Sequence, residues 1–261
     1  MRRRSLSLLS VVAVATLLAA LVVTPAGAAT PTAKKPTGAI TVSAAASLTG
    51  AFTAIGERFQ KQHPKATVTF NFGSSSTLVT QIQGGAPADV YASADLTNMD
   101  KLVSGGQVTA TPTPFARNQM EIAVKPGNPS KVASVANLAD IGTVSLCGAT
   151  VPCGIYAASV LKKANVTIPE SSITRGADVK ATLAAVSQGD ANAAIVYESD
   201  VQSAGTTVAG VMIPADQNVV AVYPIAPIAA SSNPKTAKAF INYVASPAGQ
   251  KILAKYGFLA A

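Results

Sequence analysis

The feature that most constrains the fold of this 261-residue chain is the regular alternation of strand-like and helix-like segments. Residues 40–44 form an apolar strand pattern, and apolar side chains from Leu48 to Phe59 then recur at helical spacing. Residues 67–72 alternate polar and apolar side chains with the period of a strand. Because alternating strands and helices build parallel sheets covered by helices on both faces, the pattern predicts an α/β fold. The number of segments suits two lobes with a cleft between them.

The same periodicity places further segments along the chain. Ligands of such sheets bind beyond the carboxyl ends of the strands, so a site is expected in the strand-to-helix loops. Strands are predicted at residues 40–44, 68–72, 89–93, 122–124, 143–146, 193–197, 208–213 and 219–225. Helices are predicted at residues 48–59, 78–82, 99–103, 155–163, 179–186, 237–244 and 249–256.

Residues 1–28 have the composition of a secretory signal peptide. Three arginines at positions 2–4 precede an apolar run at 6–23, and an A-x-A cleavage site follows at 26–28. A transmembrane anchor is the alternative, because the apolar run approaches spanning length. A polar linker is predicted at 29–38. The mature protein is expected outside the cytoplasm, periplasmic or associated with the cell surface, and no cysteine near the cleavage site offers a lipid anchor.

The charge of the chain argues against nucleic acid as a partner. The formal net charge is +8, and loss of the three arginines in residues 1–28 lowers it to +5. The remaining basic residues are scattered, with no basic block and no interleaved aromatic side chains. A mildly positive field helps to attract an anion, although solubility explains the charge equally well. The protein is expected to be a monomer.

Two cysteines, Cys147 and Cys153, lie close together in the exported part of the chain. In an oxidising compartment such a pair predicts a disulfide, which at this loop length contributes roughly 2 kcal/mol. Two free buried thiols are the alternative. A zinc site is not expected, because His63 is the only histidine that is available to join the pair.

Five positions share the context of a strand end followed by a helix start: Ser47, Ser75, Cys153, Val179 and Tyr197. A helix start holds N–H groups without intrahelical partners and the positive end of the helix dipole, and both favour an anion. Hydroxyl groups from the two serines and the tyrosine add further donors. Plain helix caps for the serines and a core position for the tyrosine are the alternatives, and periodicity does not decide between them.

Six short motifs together are more specific than any one of them. The motifs are ITVSAAASL at 40–48, SSSTL at 74–78, GAPADV at 85–90, ASAD at 92–95, VPCGIY at 151–156 and IVYESD at 195–200. The set resembles the periplasmic molybdate-binding proteins of ABC transporters, in order and over essentially the whole mature chain.

The resemblance implies a type II periplasmic-binding-protein fold, in which each lobe is a mainly parallel sheet flanked by helices and the ligand lies in the cleft. The lobes are predicted at 38–116 with 222–261, and at 117–221. The resemblance also implies capture of molybdate and probably tungstate, delivery to an ABC permease, no cofactor, no catalytic residue and no metal beyond the molybdate oxyanion. Its implied ligand contacts are again Ser47, Ser75, Cys153, Val179 and Tyr197. Cys153 departs from the alanine that many relatives carry there.

Two alternatives stay open. The ligand of the same site is sulfate or another tetrahedral oxyanion, or the protein is an exported serine hydrolase. The hydrolase hypothesis depends on Ser159 and Lys162, which match an S-x-x-K motif but lack its supporting S-D-N and K-T-G elements. Because the motif falls inside a predicted helix, an exposed helical serine is the preferred interpretation.

Overall fold

The computed structural model of the protein describes residues 35–261. The predicted signal peptide at 1–28 and residues 29–34 of the predicted linker lie outside the described residues. Residues 35–37 have no regular structure, and Gly38 already begins the first strand. None of the helices in the described range combines the length and the apolar character that a membrane span requires.

Strands and helices alternate along most of this range. The strands are β1 (Gly38–Ala45), β2 (Ala66–Gly73), β3 (Val90–Ala92), β4 (Thr113–Val124), β5 (Val144–Cys147), β6 (Ile173–Gly176), β7 (Ala193–Tyr197), β8 (Ala209–Met212) and β9 (Val220–Pro227). The helices are α1 (Thr49–Gln62), α2 (Ser75–Gln83), α3 (Leu96–Ser104), α4 (Pro152–Lys163), α5 (Val179–Ser187), α6 (Glu198–Ala204), α7 (Pro234–Ala245) and α8 (Pro247–Lys255).

Every predicted strand and helix has a counterpart in the structure, so the predicted α/β class is confirmed. Three features differ from the prediction. Strand β4 begins at Thr113 rather than at residue 122, and β6 and α6 have no counterpart in the prediction. These segments are short or rich in polar side chains, so their hydrophobic periodicity is weak. Their regular secondary structure depends on pairing and packing with residues that are distant in sequence.

The strands form one curled sheet in the order β2-β1-β3-β9-β4-β7-β5-β6, with β8 paired to β4. Strand β1 is parallel to β2 and β3, and β5 is parallel to β6 and β7. The pairings of β4 and β9 are antiparallel. The sheet is therefore mixed, and the sequence did not distinguish the antiparallel strands because periodicity does not report strand direction.

Strand β4 belongs to both parts of the sheet. Residues 113–119 pair with β9, whereas residues 120–124 pair with β7 and β8. Strands β4 and β9 thus connect a group formed by β1, β2 and β3 to a group formed by β5, β6, β7 and β8.

Helix α1 shows how the helices are held on the sheet. Phe52, Ile55 and Phe59 lie on one face at helical spacing and are fully buried. The rings of Phe52 and Phe59 meet the ring of Phe240 from α7 edge-on, at centroid distances of 6.0 and 5.5 Å. This packing fixes α1 directly behind the end of β1.

Strand register brings the strand ends level with one another. Ala45, the last residue of β1, pairs with Gly73, the last residue of β2. In the other group, Cys147 at the end of β5 pairs with Gly176 at the end of β6. Because these neighbours are parallel and in register, the loops that follow them leave the sheet at the same edge.

Candidate functional site

The loops that follow these strands surround one small cavity. The cavity has a volume of about 20 Å³. All five residues predicted to contact a ligand line it: Ser47, Ser75, Cys153, Val179 and Tyr197. The rest of the lining is formed by Ala45, Ala46, Gly73, Ser74, Ala94, Pro152 and Asp178.

Ser47 lies in a short 3₁₀ turn, Ala46–Leu48, between β1 and α1. Its side chain is buried, and its Oγ is 2.9 Å from the hydroxyl oxygen of Tyr223 on β9. The serine makes no side-chain cap of a helix. Its hydroxyl therefore remains in the cavity wall, tied to a residue that is distant in sequence.

Ser74 and Ser75 both line the cavity, but their side chains make different hydrogen bonds. Ser74 caps α2, since its Oγ accepts a hydrogen bond of 3.2 Å from the N–H of Thr77. Ser75, the first residue of α2, accepts a bond of 3.0 Å at its own Oγ from the N–H of Ala94. Because the Ser75 oxygen is an acceptor in this contact, its hydroxyl proton is free to be donated to a ligand.

Cys153 lies in the first turn of α4 and forms a disulfide with Cys147, as the cysteine spacing predicted. The Cα atoms of the two residues are 5.8 Å apart. The bridge ties the first turn of α4 to the end of β5. The same turn packs very closely: a Cβ at Gly154 would collide with the backbone of Gly148, so only glycine fits there.

Val179 is the first residue of α5 and is buried. The helix is capped by Asp178, whose Oδ1 accepts a bond of 3.0 Å from the N–H of Ala181. The N–H of Val179 belongs to the first turn, where the helix offers no acceptor of its own. Val179 therefore brings to the cavity lining a main-chain N–H that has no acceptor within its helix, whatever its side chain.

Tyr197 ends β7, and its hydroxyl group is the least satisfied donor of the site. The side chain is 1% exposed, and among residues 35–261 the hydroxyl has no hydrogen-bond partner. Burial, reinforced by the neighbouring Tyr223, Tyr156 and acidic groups, raises the pKa of Tyr197 well above its usual value. The group therefore stays protonated and carries an O–H that is free to donate.

The charge of the cavity wall is low. Asp178 is the one carboxylate in the lining described above, and no glutamate, lysine, arginine or histidine belongs to it. Lys180 is the second residue of α5, and its Nζ lies 3.0 Å from Oδ1 of the buried Asp200. Burial raises the pKa of Asp200, and the Lys180 charge opposes this shift. An anion in the cavity thus meets hydroxyl and backbone dipoles instead of cationic side chains.

The residues of the hydrolase alternative do not meet. The Ser159 Oγ donates to the Ile155 carbonyl oxygen within α4 at 3.0 Å, and Lys162 is exposed on the same helix. His63 follows the last residue of α1 as its C-cap, and its ring centroid lies 4.6 Å from that of Phe59. None of these side chains lines the cavity. Within residues 35–261 there is also no group of three or more His, Cys, Asp or Glu side chains suited to a metal ion.

The structure adds residues that the sequence did not indicate. Tyr223 on β9 contacts Ser47, Asn118 on β4 contacts Tyr223 in turn, and Asp178 joins the cavity wall as a helix cap. An aspartate before a helix is a cap signal, so its place at the site was accessible from the sequence. Tyr223 and Asn118 carry no such signal, since they lie in strands far along the chain from Ser47.

Known proteins match most of the described chain. A family model described as bacterial extracellular solute-binding protein matches residues 40–259. The molybdate-binding protein ModA of Mycobacterium tuberculosis is 40% identical over 220 residues, which cover 84% of each chain.

Two solved structures show the same fold. The periplasmic molybdate-binding protein of Azotobacter vinelandii has a TM-score of 0.78 at 20% identity, over 85% of this chain and 99% of that one. The sulfate-binding protein SubI of Mycobacterium tuberculosis has a TM-score of 0.75 at 21% identity, over 85% and 87% of the two chains. At these identities the two structures support the fold and carry no information about the ligand.

The predicted resemblance to periplasmic molybdate-binding proteins is confirmed by the ModA relative, and the predicted two-lobed type II fold is confirmed by the solved structures. The family description also supports an exported protein with a role in binding and transport. The chain belongs to the family of bacterial extracellular solute-binding proteins.

Proposed function

We propose that this protein captures molybdate outside the cytoplasm for uptake by an ABC transporter, and that it also binds tungstate. The single observation that carries the proposal is the buried Tyr197 hydroxyl, a donor without an acceptor in the wall of a small cavity. A buried donor that is left unsatisfied costs about 1–3 kcal/mol, so an acceptor from a ligand stabilises this arrangement. The name of the Mycobacterium tuberculosis relative gives the acceptor a chemical identity.

The ligand contacts are proposed to come from Ser47, Ser75, Cys153, Val179 and Tyr197. Three of these residues offer hydroxyl groups, and Cys153 and Val179 lie in the first turns of α4 and α5. Helix dipoles and N–H groups stabilise an anion at such positions without a cationic side chain. Each hydrogen bond to a charged group contributes about 1.5–3 kcal/mol, so five allow micromolar or tighter binding after the costs of ordering.

Capture is proposed to involve closure of two lobes, 38–116 with 222–261 and 117–221. Both proposed boundaries lie in the strands that connect the two groups of the sheet, β4 and β9. Strand β4 changes its pairing partners between residues 119 and 120, close to the first boundary. Bending of these two strands would change the width of the cavity while each lobe keeps its own core.

The remaining properties follow from a capture role. We propose that the protein acts as a monomer, catalyses no reaction, needs no cofactor and binds no nucleic acid. The proposed partner is a membrane permease that accepts the protein with its ligand. Phosphate is expected to bind weakly, because it carries a proton near neutral pH and meets a site of donors, in which the carboxylate of Asp178 already serves as a helix cap.

Titration calorimetry of purified residues 29–261 with molybdate, tungstate, sulfate and phosphate tests the proposal. We expect dissociation constants in the micromolar range or below for molybdate and tungstate, and no measurable heat from sulfate or phosphate. Tight binding of sulfate would keep the site and change its ligand. Absence of binding to all four anions would overturn the proposed function.

A further inference from the structure

A buried chain of hydrogen bonds leads away from the cavity through Ser47, Tyr223, Asn118 and Ser199. The hydroxyl oxygens of Ser47 and Tyr223 are 2.9 Å apart. The Asn118 Nδ2 lies 3.4 Å from the Tyr223 hydroxyl oxygen and 2.7 Å from the Ser199 Oγ. All four side chains are at most 2% exposed, so water does not compete with these contacts.

The orientation of the Asn118 amide defines which group donates and which accepts in this series of hydrogen bonds. Its Oδ1 accepts a hydrogen bond of 3.0 Å from the N–H of Gln119. The Nδ2 end therefore faces Tyr223 and Ser199, and it has only protons to offer them. The Tyr223 oxygen is consequently an acceptor toward Asn118.

Tyr223 is then a donor toward Ser47. Its oxygen accepts from Asn118, and the remaining polar contact of its hydroxyl is the Ser47 Oγ. Burial raises the pKa of Tyr223, so the phenol keeps its proton. Because the Ser47 oxygen accepts this proton, its own hydroxyl proton is left for the cavity, where Ser47 makes no other side-chain hydrogen bond within residues 35–261.

The Tyr223 ring is held in place by aromatic neighbours on several sides. The rings of Phe258 and Tyr197 meet it edge-on at centroid distances of 5.4 and 6.0 Å, and that of Phe115 at 6.3 Å. Loss of the hydroxyl alone would leave these contacts intact, because phenylalanine has the same ring. The position of the ring and the polarity of its hydroxyl are therefore separable by substitution.

We propose that Tyr223 is a positioning residue, which holds the Ser47 hydroxyl as a donor toward the bound oxyanion. This proposal rests on the proposed function. Tyr223 itself does not line the cavity and acts through Ser47. Without its hydroxyl, Ser47 is free to rotate and to donate to other acceptors, so the ligand loses an oriented contact at no loss of cavity shape.

A double-mutant cycle on residues 29–261 tests this role, with molybdate as the titrant. The Tyr223→Phe variant is expected to weaken binding about tenfold, the size of one ordinary hydrogen bond. In a Ser47→Ala background the same change is expected to alter affinity less than about twofold, because the group through which Tyr223 acts is gone. In a Ser75→Ala background it is expected to keep its full tenfold effect, since Ser75 has no contact with Tyr223.

Tyr243→Phe is the matched control for loss of a tyrosine hydroxyl. Tyr243 lies on α7, away from the cavity, and its ring packs against that of Phe59 at a centroid distance of 5.8 Å. Removal of its hydroxyl group is expected to leave the molybdate affinity unchanged. Chemical unfolding of each variant without ligand shows whether the fold is retained.

The outcomes separate the positioning role from a structural role. Equal effects of Tyr223→Phe in the wild-type and Ser47→Ala backgrounds would overturn the proposal, as would a loss of stability without loss of affinity. A wild-type protein that binds none of the four anions would overturn the proposed function, and the positioning role with it. Wild-type binding without coupling to Ser47 would overturn the positioning role alone.

Discussion

The two sides of the cavity hold their donors in different ways. The serine side, Ser47 and Ser75, presents side-chain hydroxyl groups whose oxygens contact Tyr223 and the Ala94 N–H. The backbone side, Cys153 and Val179, lies in the first turns of α4 and α5, where main-chain N–H groups have no acceptor within the helix. The difference indicates that single substitutions remove donors on the serine side, whereas the backbone side depends on loop geometry.

The largest effect is expected from removal of both hydroxyl groups of the serine side. The double variant Ser47→Ala and Ser75→Ala should lose about 3–6 kcal/mol of molybdate binding, two to four orders of magnitude in affinity. Titration calorimetry measures the change. Ser159→Ala is the control, because its hydroxyl is occupied within α4 and should not matter. Wild-type affinity of the double variant would show that the serine side does not contact the ligand.

Tyr197→Phe is expected to shift binding and stability in opposite directions. The variant removes one donor to the charged ligand, so affinity should fall by about 1.5–3 kcal/mol. It also removes a buried hydroxyl that has no partner, so the free energy of unfolding without ligand should rise by about 1 kcal/mol. Calorimetry and urea unfolding measure the two quantities. A decrease in both would indicate that the hydroxyl has a partner within the protein.

The disulfide is the covalent support of the backbone side. Replacement of Cys147 and Cys153 by alanine should lower the free energy of unfolding by about 2 kcal/mol, the amount expected for so short a loop. Affinity should fall as well, because the first turn of α4 loses its tie to β5. A reductant should lower the free energy of unfolding and the affinity of the wild-type protein, and should leave both quantities unchanged in the double variant. Equal sensitivity of both proteins would contradict this assignment.

A pH-dependent contribution to the free energy of unfolding is expected from Glu121 on β4, which does not line the cavity. Burial, reinforced by the charge of Glu198, raises the pKa of Glu121 from 4.5 to about 7. Between these values the folded protein holds a proton that the unfolded chain has lost, so this group makes stability fall as pH rises through that range. After allowance for solvent screening, the loss amounts to about 1 kcal/mol.

Glu121→Gln tests this contribution, because glutamine does not titrate. The free energy of unfolding of the wild-type protein and of the variant is measured in urea at several pH values between 4.5 and 8. The fall of about 1 kcal/mol with rising pH is expected only in the wild-type protein. A parallel pH profile of the two proteins would assign the effect to another group.

The smallest effect on affinity is expected at Val179, on the backbone side. Val179→Ala keeps the N–H of the first turn of α5, so the molybdate affinity should change by less than about twofold. Stability should fall, because buried methyl groups are removed from the core. A large loss of affinity with a small loss of stability would show that the side chain itself shapes the cavity.

The sequence predicted the parts of the site that depend on near neighbours. Strand ends followed by helix starts identified five residues that the structure places in the cavity lining, and cysteine spacing identified the disulfide. Ser74 and Ser75 show the limit of this reasoning. Both are serines at one helix start and both line the cavity, and only their hydrogen bonds show that Ser74 caps the helix whereas Ser75 accepts from the Ala94 N–H.

The sequence by itself determined the order of the strands and helices apart from β6 and α6, because side-chain periodicity and helix-start chemistry act over a few residues. It also determined the low charge of the loops around the cavity. Only the tertiary structure decided that β4 and β9 connect the two groups of strands, that Tyr197 lacks a partner and that Tyr223 meets Ser47. These features join residues far apart in the chain, and such contacts depend on packing, which local patterns do not encode.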